Sequence, residues 1–296
     1  MDTRQLRQFV HLAETLHFGR ASAASNLSPS ALSRSIRQLE IELGAVLFER
    51  DNRSVALTSQ GETFLGWARE TLSGWDVVRH TVQEQAGALQ GEVSLYCSVT
   101  ASYSFLFELL GRLRRDHPRI ELKLHTGDPD HAIARVLAGS EDIAIGARPD
   151  SLPAGLAFQP ITRSRLVFIA ATADPRRRAL SRRTPDTKAW ANAPMILPES
   201  GLARQRTDRW FRDLGLTPRV YAQVAGNEAI VSMVSLGFGV GVVPQIVLDN
   251  SPLAGEVAVL NVQPALAPYE VGLFTLERKL RSPLIAAFWA PRLLRS

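Results

Sequence analysis

The densest chemistry in the chain lies near its N-terminus, in Ser28-Pro29-Ser30-Ala31-Leu32-Ser33-Arg34-Ser35-Ile36-Arg37-Gln38-Leu39-Glu40. Ser28 suits a helix N-cap, and Pro29 suits the first helical position, where its missing N–H is not needed. At about 100° per residue Leu32, Ile36, Leu39 and Leu43 fall in one narrow arc, while Ser30, Ser33, Arg34 and Arg37 gather opposite. Hydroxyls and guanidiniums at the start of a helix fit a DNA major groove: Arg pairs bidentately with guanine O6 and N7, and serines reach phosphates or base edges. Glu40 and Glu42 stand at the far end, where their charge troubles phosphates less. By itself the stretch also fits an ordinary amphipathic surface helix. The segment that follows it, Leu47-Phe48-Glu49-Arg50-Asp51-Asn52-Arg53-Ser54-Val55-Ala56-Leu57, weighs against that reading. Two short apolar runs around an Asp-Asn turn predict a small wing. Arg50 and Arg53 would flank its tip and could meet phosphate or enter a minor groove.

Catalytic patterns are missing. The chain has no Walker loop, HExxH or G-x-S-x-G, and His11, His17, His80, His117, His125 and His131 lack triad or metal-ligand spacing, so no enzyme activity and no metal are expected. His17 and His80 are expected to face solvent or a partner. Asp128, Asp130 and His131 come nearest to a metal cluster, but at a helix start they read as caps. The single cysteine, Cys97, excludes an internal disulfide or a Cys-rich zinc site, and its alternating context predicts a packed core thiol.

The elements that must position the reading residues follow from periodicity. Leu6, Phe9, Val10, Ala13 and Leu16 recur at helical spacing, and a short Ala-rich helix follows through Ala21, Ala24 and Leu27. After the wing, Ser59-Gln60-Gly61-Glu62 fits a capping box, with Thr58 as an alternative cap. Phe64, Ala68, Thr71, Trp75, Val78, Val82, Gln85 and Leu89 then alternate spacings of four and three, a heptad seam with polar entries at Thr71 and Gln85. A helix of roughly 25 residues bearing Trp67 and Trp75 needs a partner surface, either the protein's own domains or a second copy, and we expect a dimer. Two-fold symmetry would set two reading helices on two half-sites.

From Gly91 strands alternate with helices. Val93, Leu95 and Cys97, then Ile120, Leu122 and Leu124, then Asp142-Ile143-Ala144-Ile145-Gly146 read as strands, with helices around Leu106 and Val136 between them. A second run starts at Leu166-Val167-Phe168-Ile169-Ala170 and continues through Met195-Ile196-Leu197, Trp210-Phe211, Val220-Tyr221-Ala222, Asn227 to Leu236 and Val240-Gly241-Val242-Val243. Val271-Gly272-Leu273-Phe274-Thr275 and a final helix around Phe288-Trp289 return to the first lobe. The pattern predicts two α/β lobes with mainly parallel sheets. Ligands of such sheets bind beyond the carboxyl ends of the strands, and a cleft between lobes is the natural pocket. The candidate residues are therefore those at strand-to-helix junctions: Ser98, Thr100, Ala101 and Ser102 in the strongest loop, Thr126 with Gly127, Arg148 after Gly146-Ala147, Glu199 before Ser200-Gly201, and Asn227 between Gly226 and Glu228. Hydroxyls and free N–H groups at a helix start suit a carboxylate, although each junction alone also fits simple helix capping.

Length and charge bound the remaining possibilities. A chain of 296 residues suggests two or three domains, and 45% hydrophobic with 21% charged residues excludes global disorder. Its pI of 9.9 invites a nucleic-acid partner. Residues 1–58, however, hold seven Arg against six acids, net +1, so binding must rest on the placement of charge. Without a signal pattern or a run of about 18 apolar residues the protein is expected in the cytoplasm. A solute-binding protein and an α/β enzyme are the competing classes for the C-terminal lobes. The wing and the missing signal segment weigh against the first, and turnover would be required for the second.

Residues 18–57, through Phe18-Gly19-Arg20-Ala21-Ser22-Ala23, Ser28 to Arg34 and Leu47-Phe48-Glu49-Arg50, closely resemble the DNA-binding domain of LysR-type transcriptional regulators. The likeness extends over the whole chain through Asp51-Asn52-Arg53, Tyr96 to Tyr103, Thr126-Gly127-Asp128, Asn227 to Val234 and Pro283 to Trp289, and narrows toward members governing branched-chain amino acid synthesis. The expected architecture is an α/β chain in three parts. These are a winged helix-turn-helix (1–58), a linker helix (59–90), and a two-lobed effector domain like periplasmic binding proteins (91–296). Lobe I would span about 91–162 and 266–296, and lobe II about 163–265. The resemblance implies tetramers built from dimers, two adjacent operator sites on double-stranded DNA, engagement of RNA polymerase, and activation by a small carboxylate co-inducer, acetolactate or acetohydroxybutyrate. It maps the cleft loops onto Ser98, Thr100, Ser102, Thr126 and Asn227. The small net charge of residues 1–58 departs from a simple basic domain, although the reading arginines are present.

Overall fold

The computed structural model describes residues 1–50, 54–85, 89–182 and 185–289. The Asp-Asn turn and Arg53 of the expected wing lie outside the described residues. Two units separate, one of residues 1–89 with 281–283 and one beginning at residue 90.

The first unit starts with α1 (Thr3–Thr15), where Asp2 accepts from the Gln5 N–H at 2.8 Å and Gln5 accepts from the Asp2 N–H at 3.1 Å. This reciprocal cap satisfies two otherwise unpaired donors. Helices α2 (Phe18–Ala24) and α3 (Pro29–Leu43) follow, then the hairpin of β1 (Phe48–Arg50) and β2 (Val55–Leu57), paired antiparallel. Phe9, Leu12, Leu32, Ile36 and Leu39 are fully buried in one core, where Phe9 meets Phe64 edge-on at 4.9 Å and Phe48 at 5.3 Å. Each such side chain contributes about 1.5–3 kcal/mol of transfer free energy. Leu43, expected on this face, is 39% exposed, because α3 has run past the core and ends at Gly44 with φ +66°, a left-handed turn that glycine takes without steric cost.

Helix α4 (Ser59–Gln85) is capped by Thr58, whose hydroxyl accepts from the Gly61 N–H at 2.9 Å, so the cap falls one residue before Ser59. Its expected seam divides. Phe64 and Ala68 pack into the unit's own core, whereas Trp75, Val78 and Val82 remain exposed. Of the two expectations for His80, solvent or a partner, the first does not hold: the ring is buried, with Nδ1 3.1 Å from the Ser282 hydroxyl. His17 is exposed and caps α2 by accepting from the Arg20 N–H.

The second unit holds two five-stranded sheets. In chain order the elements are β3 (Gly91–Cys97), α5 (Val99–Asp116), β4 (Ile120–Thr126), α6 (Ala132–Leu137), β5 (Ile143–Ala147), β6 (Leu156–Ser164), β7 (Leu166–Ala171), α7 (Arg177–Leu180) and α8 (Thr187–Asn192). They continue with β8 (Pro194–Pro198), α9 (Gly201–Asp213), β9 (Arg219–Val224), α10 (Asn227–Ser235), β10 (Val240–Pro244), α11 (Gln245–Asp249), β11 (Val257–Val259), β12 (Tyr269–Leu276) and α12 (Pro283–Phe288). One sheet runs β4-β3-β5-β12-β6 and the other β9-β8-β10-β7-β11. Strands β3, β4 and β5 take the order β4-β3-β5, and β8, β9 and β10 take the order β9-β8-β10. Each trio is joined by parallel pairings and extended by two antiparallel ones, in the second sheet through β7, which precedes its trio in the chain. The expected mainly parallel sheets are therefore mixed, since β12 returns antiparallel to β5 and β7 antiparallel to β10. Phe168, Trp190, Trp210 and Phe211 form the aromatic centre of lobe II, with Phe168 4.7 Å from both indoles. Cys97 is buried at the end of β3, and burial pushes its thiol up to about 11, so it stays protonated and unreactive at neutral pH.

Candidate DNA-reading surface and effector cleft

Helix α3 presents its polar face as the spacing requires. Ser28 caps it, accepting from the Ala31 N–H at 3.2 Å, and lies 3.1 Å from the Ser30 hydroxyl. Ser28, Pro29, Ser30, Arg34 and Arg37 are exposed and Ser33 is half-buried. Neither Arg34 nor Arg37 has a hydrogen-bond or ion-pair partner among the described residues, so both guanidiniums are available to a groove. Arg50 differs. Its guanidinium donates to Glu40 Oε2 at 2.8 Å and lies over the Phe18 ring at 5.3 Å. The other oxygen of Glu40 accepts from the Leu47 N–H at 3.0 Å and the Phe48 N–H at 3.3 Å. Glu40 thus ties the end of α3 to the hairpin. Sequence reasoning had placed it only by its distance from phosphates, since the contact crosses seven to ten positions.

In the second unit the orders β4-β3-β5 and β9-β8-β10 put switch points beside β3 and β8, and crevices open there beyond the strand ends. Ser98 follows β3, and Glu199 with Ser200 follows β8. A cavity of about 260 Å³ lies between them, walled by both lobes. Ser98, Thr100, Ala101, Glu199 and Asn227 all line it. Ser102, Thr126 and Arg148 are not among its walls. The Ser102 hydroxyl donates back to the Val99 carbonyl at 2.6 Å, and Arg148 is drawn to Glu270 at 3.3 Å and over the Phe158 ring at 5.5 Å. Thr126 ends β4 opposite Cys97 in a parallel register.

The wall also contains Ser200 and Gly201 of the Glu199 junction, together with groups that the sequence had not assigned to it: Asp128, Asp130, Asp150 and the buried Tyr269. Four carboxylates face the cavity, counting Glu199, and no Lys or Arg side chain lines it among the described residues. Ser98 accepts from the Ala101 N–H at 3.1 Å, which leaves the next donor of the turn, Thr100, for something else. That something is a residue of lobe II. The Thr100 N–H donates to Glu228 Oε1 at 3.0 Å, and the Thr100 hydroxyl donates to the same oxygen. Asp130 of lobe I accepts from the Ser200 hydroxyl at 2.9 Å. Desolvation in the cleft pushes the Asp130 carboxyl above its ordinary range despite that bond. Arg206 adds a third tie: it donates to the Ala267 carbonyl at 2.8 Å, lies over the Tyr269 ring at 5.4 Å and meets Asp150 at 3.4 Å. Burial, foremost, drives the Tyr269 phenol strongly upward, so it stays neutral. Asp128 caps the turn before α6 by accepting from the Asp130 N–H. No group of three metal-binding side chains occurs among the described residues.

A helical reading surface joined to a two-lobed ligand domain defines a ligand-responsive DNA-binding regulator. Residues 3–62 match the bacterial regulatory helix-turn-helix protein, lysR family, and residues 86–290 match the LysR substrate binding domain. The chain belongs to the LysR family and is a DNA-binding transcriptional regulator, not an enzyme. It is 43% identical, over 98% of both chains, to the HTH-type transcriptional regulator IlvY of Escherichia coli K12. To the HTH-type transcriptional activator IlvY of Haemophilus influenzae it is 40% identical over 98% of this chain and 99% of that one. Among solved structures, a cysteine-to-aspartate variant of full-length OxyR from Pseudomonas aeruginosa matches with a TM-score of 0.73 and 23% identity, covering 97% of this chain and 96% of that one. Full-length CbnR complexed with its target DNA matches at 0.59 and 22%, covering 98% of each chain. These two likenesses concern the fold. No helix among the described residues is long and apolar enough to cross a membrane.

Proposed function

We propose that this regulator activates genes of branched-chain amino acid synthesis in the cytoplasm in response to acetolactate or acetohydroxybutyrate bound in the cleft. The observation that carries the reading is identity of 40–43% to IlvY proteins over nearly the full length of both chains, which spans the reading helix and the cleft together. The chemistry agrees with it. A small 2-hydroxy-3-keto acid fits a cavity of about 260 Å³, and with no cationic side chain on the described wall its carboxylate must be received by neutral donors at Ser98 and Thr100. Ser28, Pro29, Ser30, Ser33, Arg34, Arg37 and Arg53 read or anchor the DNA, with Arg50 tying the hairpin to α3 through Glu40. Dimers form along α4 and pair into tetramers on adjacent operator sites. Effector binding shifts the lobes, and with them the DNA bend that RNA polymerase meets, through different affinities for two arrangements.

Footprinting upstream of the regulated gene with and without acetolactate tests the reading, with a shortened or shifted protected region as the expected result. Thr100→Val should abolish that response while leaving the protection without effector intact. Normal induction in this variant would remove the loop from the ligand site.

A further inference from the structure

Glu228 and Asp130 hold equivalent places in the two lobes. Each stands four positions beyond the edge strand of its own sheet's parallel trio, Val224 to Glu228 after β9 and Thr126 to Asp130 after β4. Each reaches the opening turn of the helix that follows the central strand of the other lobe's parallel trio, β3 or β8. Glu228 accepts both donors of Thr100 at the start of α5, and Asp130 accepts the Ser200 hydroxyl at the start of α9. The second contact has shaped its partner. Ser200 makes no side-chain cap to its own helix, and a Cβ built on Gly201 would fall inside the Asp130 carboxylate. A pair of contacts related in this way across the cleft, each with a residue fitted to receive it, is a device of the closed arrangement.

We propose that Glu228 and Asp130 are resident latches holding the two lobes shut over the cavity, and that Glu228 sits on the donors an effector carboxylate must take, so that binding exchanges one carboxylate for another and releases this latch. The proposal rests on the reading of the cleft as the effector site. The surroundings require an exchange. The described wall offers an anion four carboxylates and no Lys or Arg, so the neutral donors of Thr100 matter most, and Glu228 already holds both. An internal competitor acts at high effective concentration and lowers apparent affinity by the fraction of molecules in which it is displaced. Glu228 therefore sets the effector concentration at which the regulator responds. With Asp130 still seated on Ser200 and Arg206 still tied to Ala267 and Asp150, loss of the Glu228 contact lets the lobes turn about these surviving contacts.

The test is residue-resolved amide hydrogen exchange on the full chain, comparing wild type, Glu228→Ala and Glu228→Gln, each titrated with acetate and with 2-acetolactate. In Glu228→Ala the Thr100 amide loses its acceptor and should exchange about tenfold faster or more, while the Ala101 amide, held by Ser98, serves as the internal standard. Acetate should restore Thr100 protection in Glu228→Ala at concentrations that leave the wild type unchanged. Glu228→Gln, which keeps a weaker acceptor, should fall between the two and bind 2-acetolactate more tightly than the wild type does. Unchanged Thr100 exchange in Glu228→Ala overturns the latch, and so does failure of both acetate and 2-acetolactate to restore protection. Restoration by acetate alone upholds the latch and removes acetolactate as the effector, which separates failure of the proposed function from failure of this inference.

Discussion

At the scale of single residues, two arginines of the first unit that look alike in sequence divide by what they touch. Arg34 projects freely from α3, whereas Arg50 is held by Glu40 and the Phe18 ring. Arg34→Ala should weaken specific operator binding by roughly 1–3 kcal/mol while random DNA of the same length loses less, measured by gel shift at one fixed salt concentration. Equal losses on both DNAs would make Arg34 a phosphate contact. A second residue, Asp142, should show itself in stability. Burial opposes its charge, but Lys279 at 2.7 Å and the N–H and hydroxyl of Ser94 outweigh that and hold its carboxyl below the usual range. Because the folded value is depressed, the unfolded chain binds the proton first as pH drops, so this stabilisation is full above the ordinary carboxylate range and is lost as pH falls through the folded value. Asp142→Asn should cost about 1–3 kcal/mol near pH 7 and flatten the acid limb of a denaturant-midpoint profile. The polar face of α3 was legible in sequence because a helix of known period carries it. Glu228 stood in the sequence only as the end of the Asn227 junction and Asp130 only as a helix cap. Their contacts across the cleft were not legible, because the partners lie 128 and 70 positions away and no local period reports such a contact.

At the scale of elements, strand-to-helix junctions were readable and strand direction was not. Ser98, Glu199 and Asn227 reached the cavity because helices start where hydrophobic alternation stops, and the sheet order then brings those starts together. Arg148 followed the same rule and went elsewhere, since Glu270 on the neighbouring β12 offers it a charge partner. Two strands escaped notice: β6 contains Pro160 and shows no clean alternation, and β11 is three residues long. The antiparallel extensions escaped with them, because the pattern of a buried strand is the same in either direction. Helix α9 offers a test at this scale. Gly201 has φ +80°, and any side chain there displaces Asp130. Gly201→Ala should lower stability by about 1 kcal/mol or more from the backbone alone and raise exchange at the start of α9. Gly255→Ala, where a Cβ meets nothing within 4 Å and φ is unexceptional, should leave the thermal midpoint within the error of the wild type. Equal midpoints for the two variants would show that neither the left-handed backbone at Gly201 nor its fit to Asp130 contributes to stability.

At the scale of the whole molecule, one apolar surface left uncovered is the outer stripe of α4. Phe64 and Ala68 are covered by the helices of their own unit, but Trp75, Val78 and Val82, at spacings of three and four, stay 49%, 58% and 60% exposed within one chain. A stripe of that period fits the seam of a paired helix, and leaving it in water forfeits about 25 cal/mol for each Å² that a second copy would cover. In the proposed dimer, operator recognition depends on that pairing. One α3 reads a single half-site, and a two-fold dimer converts the second half-site into an intramolecular event. Val78→Asp combined with Val82→Asp places two charges in the proposed seam without touching the buried core or the face of α3. The variant should sediment as a monomer with unchanged circular dichroism and lose on the order of 10² in affinity for a two-half-site operator, while its affinity for an isolated half-site stays that of the wild type. A variant that remains dimeric, or one that loses half-site binding to the same extent, would place the dimer contact on another surface and leave the exposed stripe of α4 without that role.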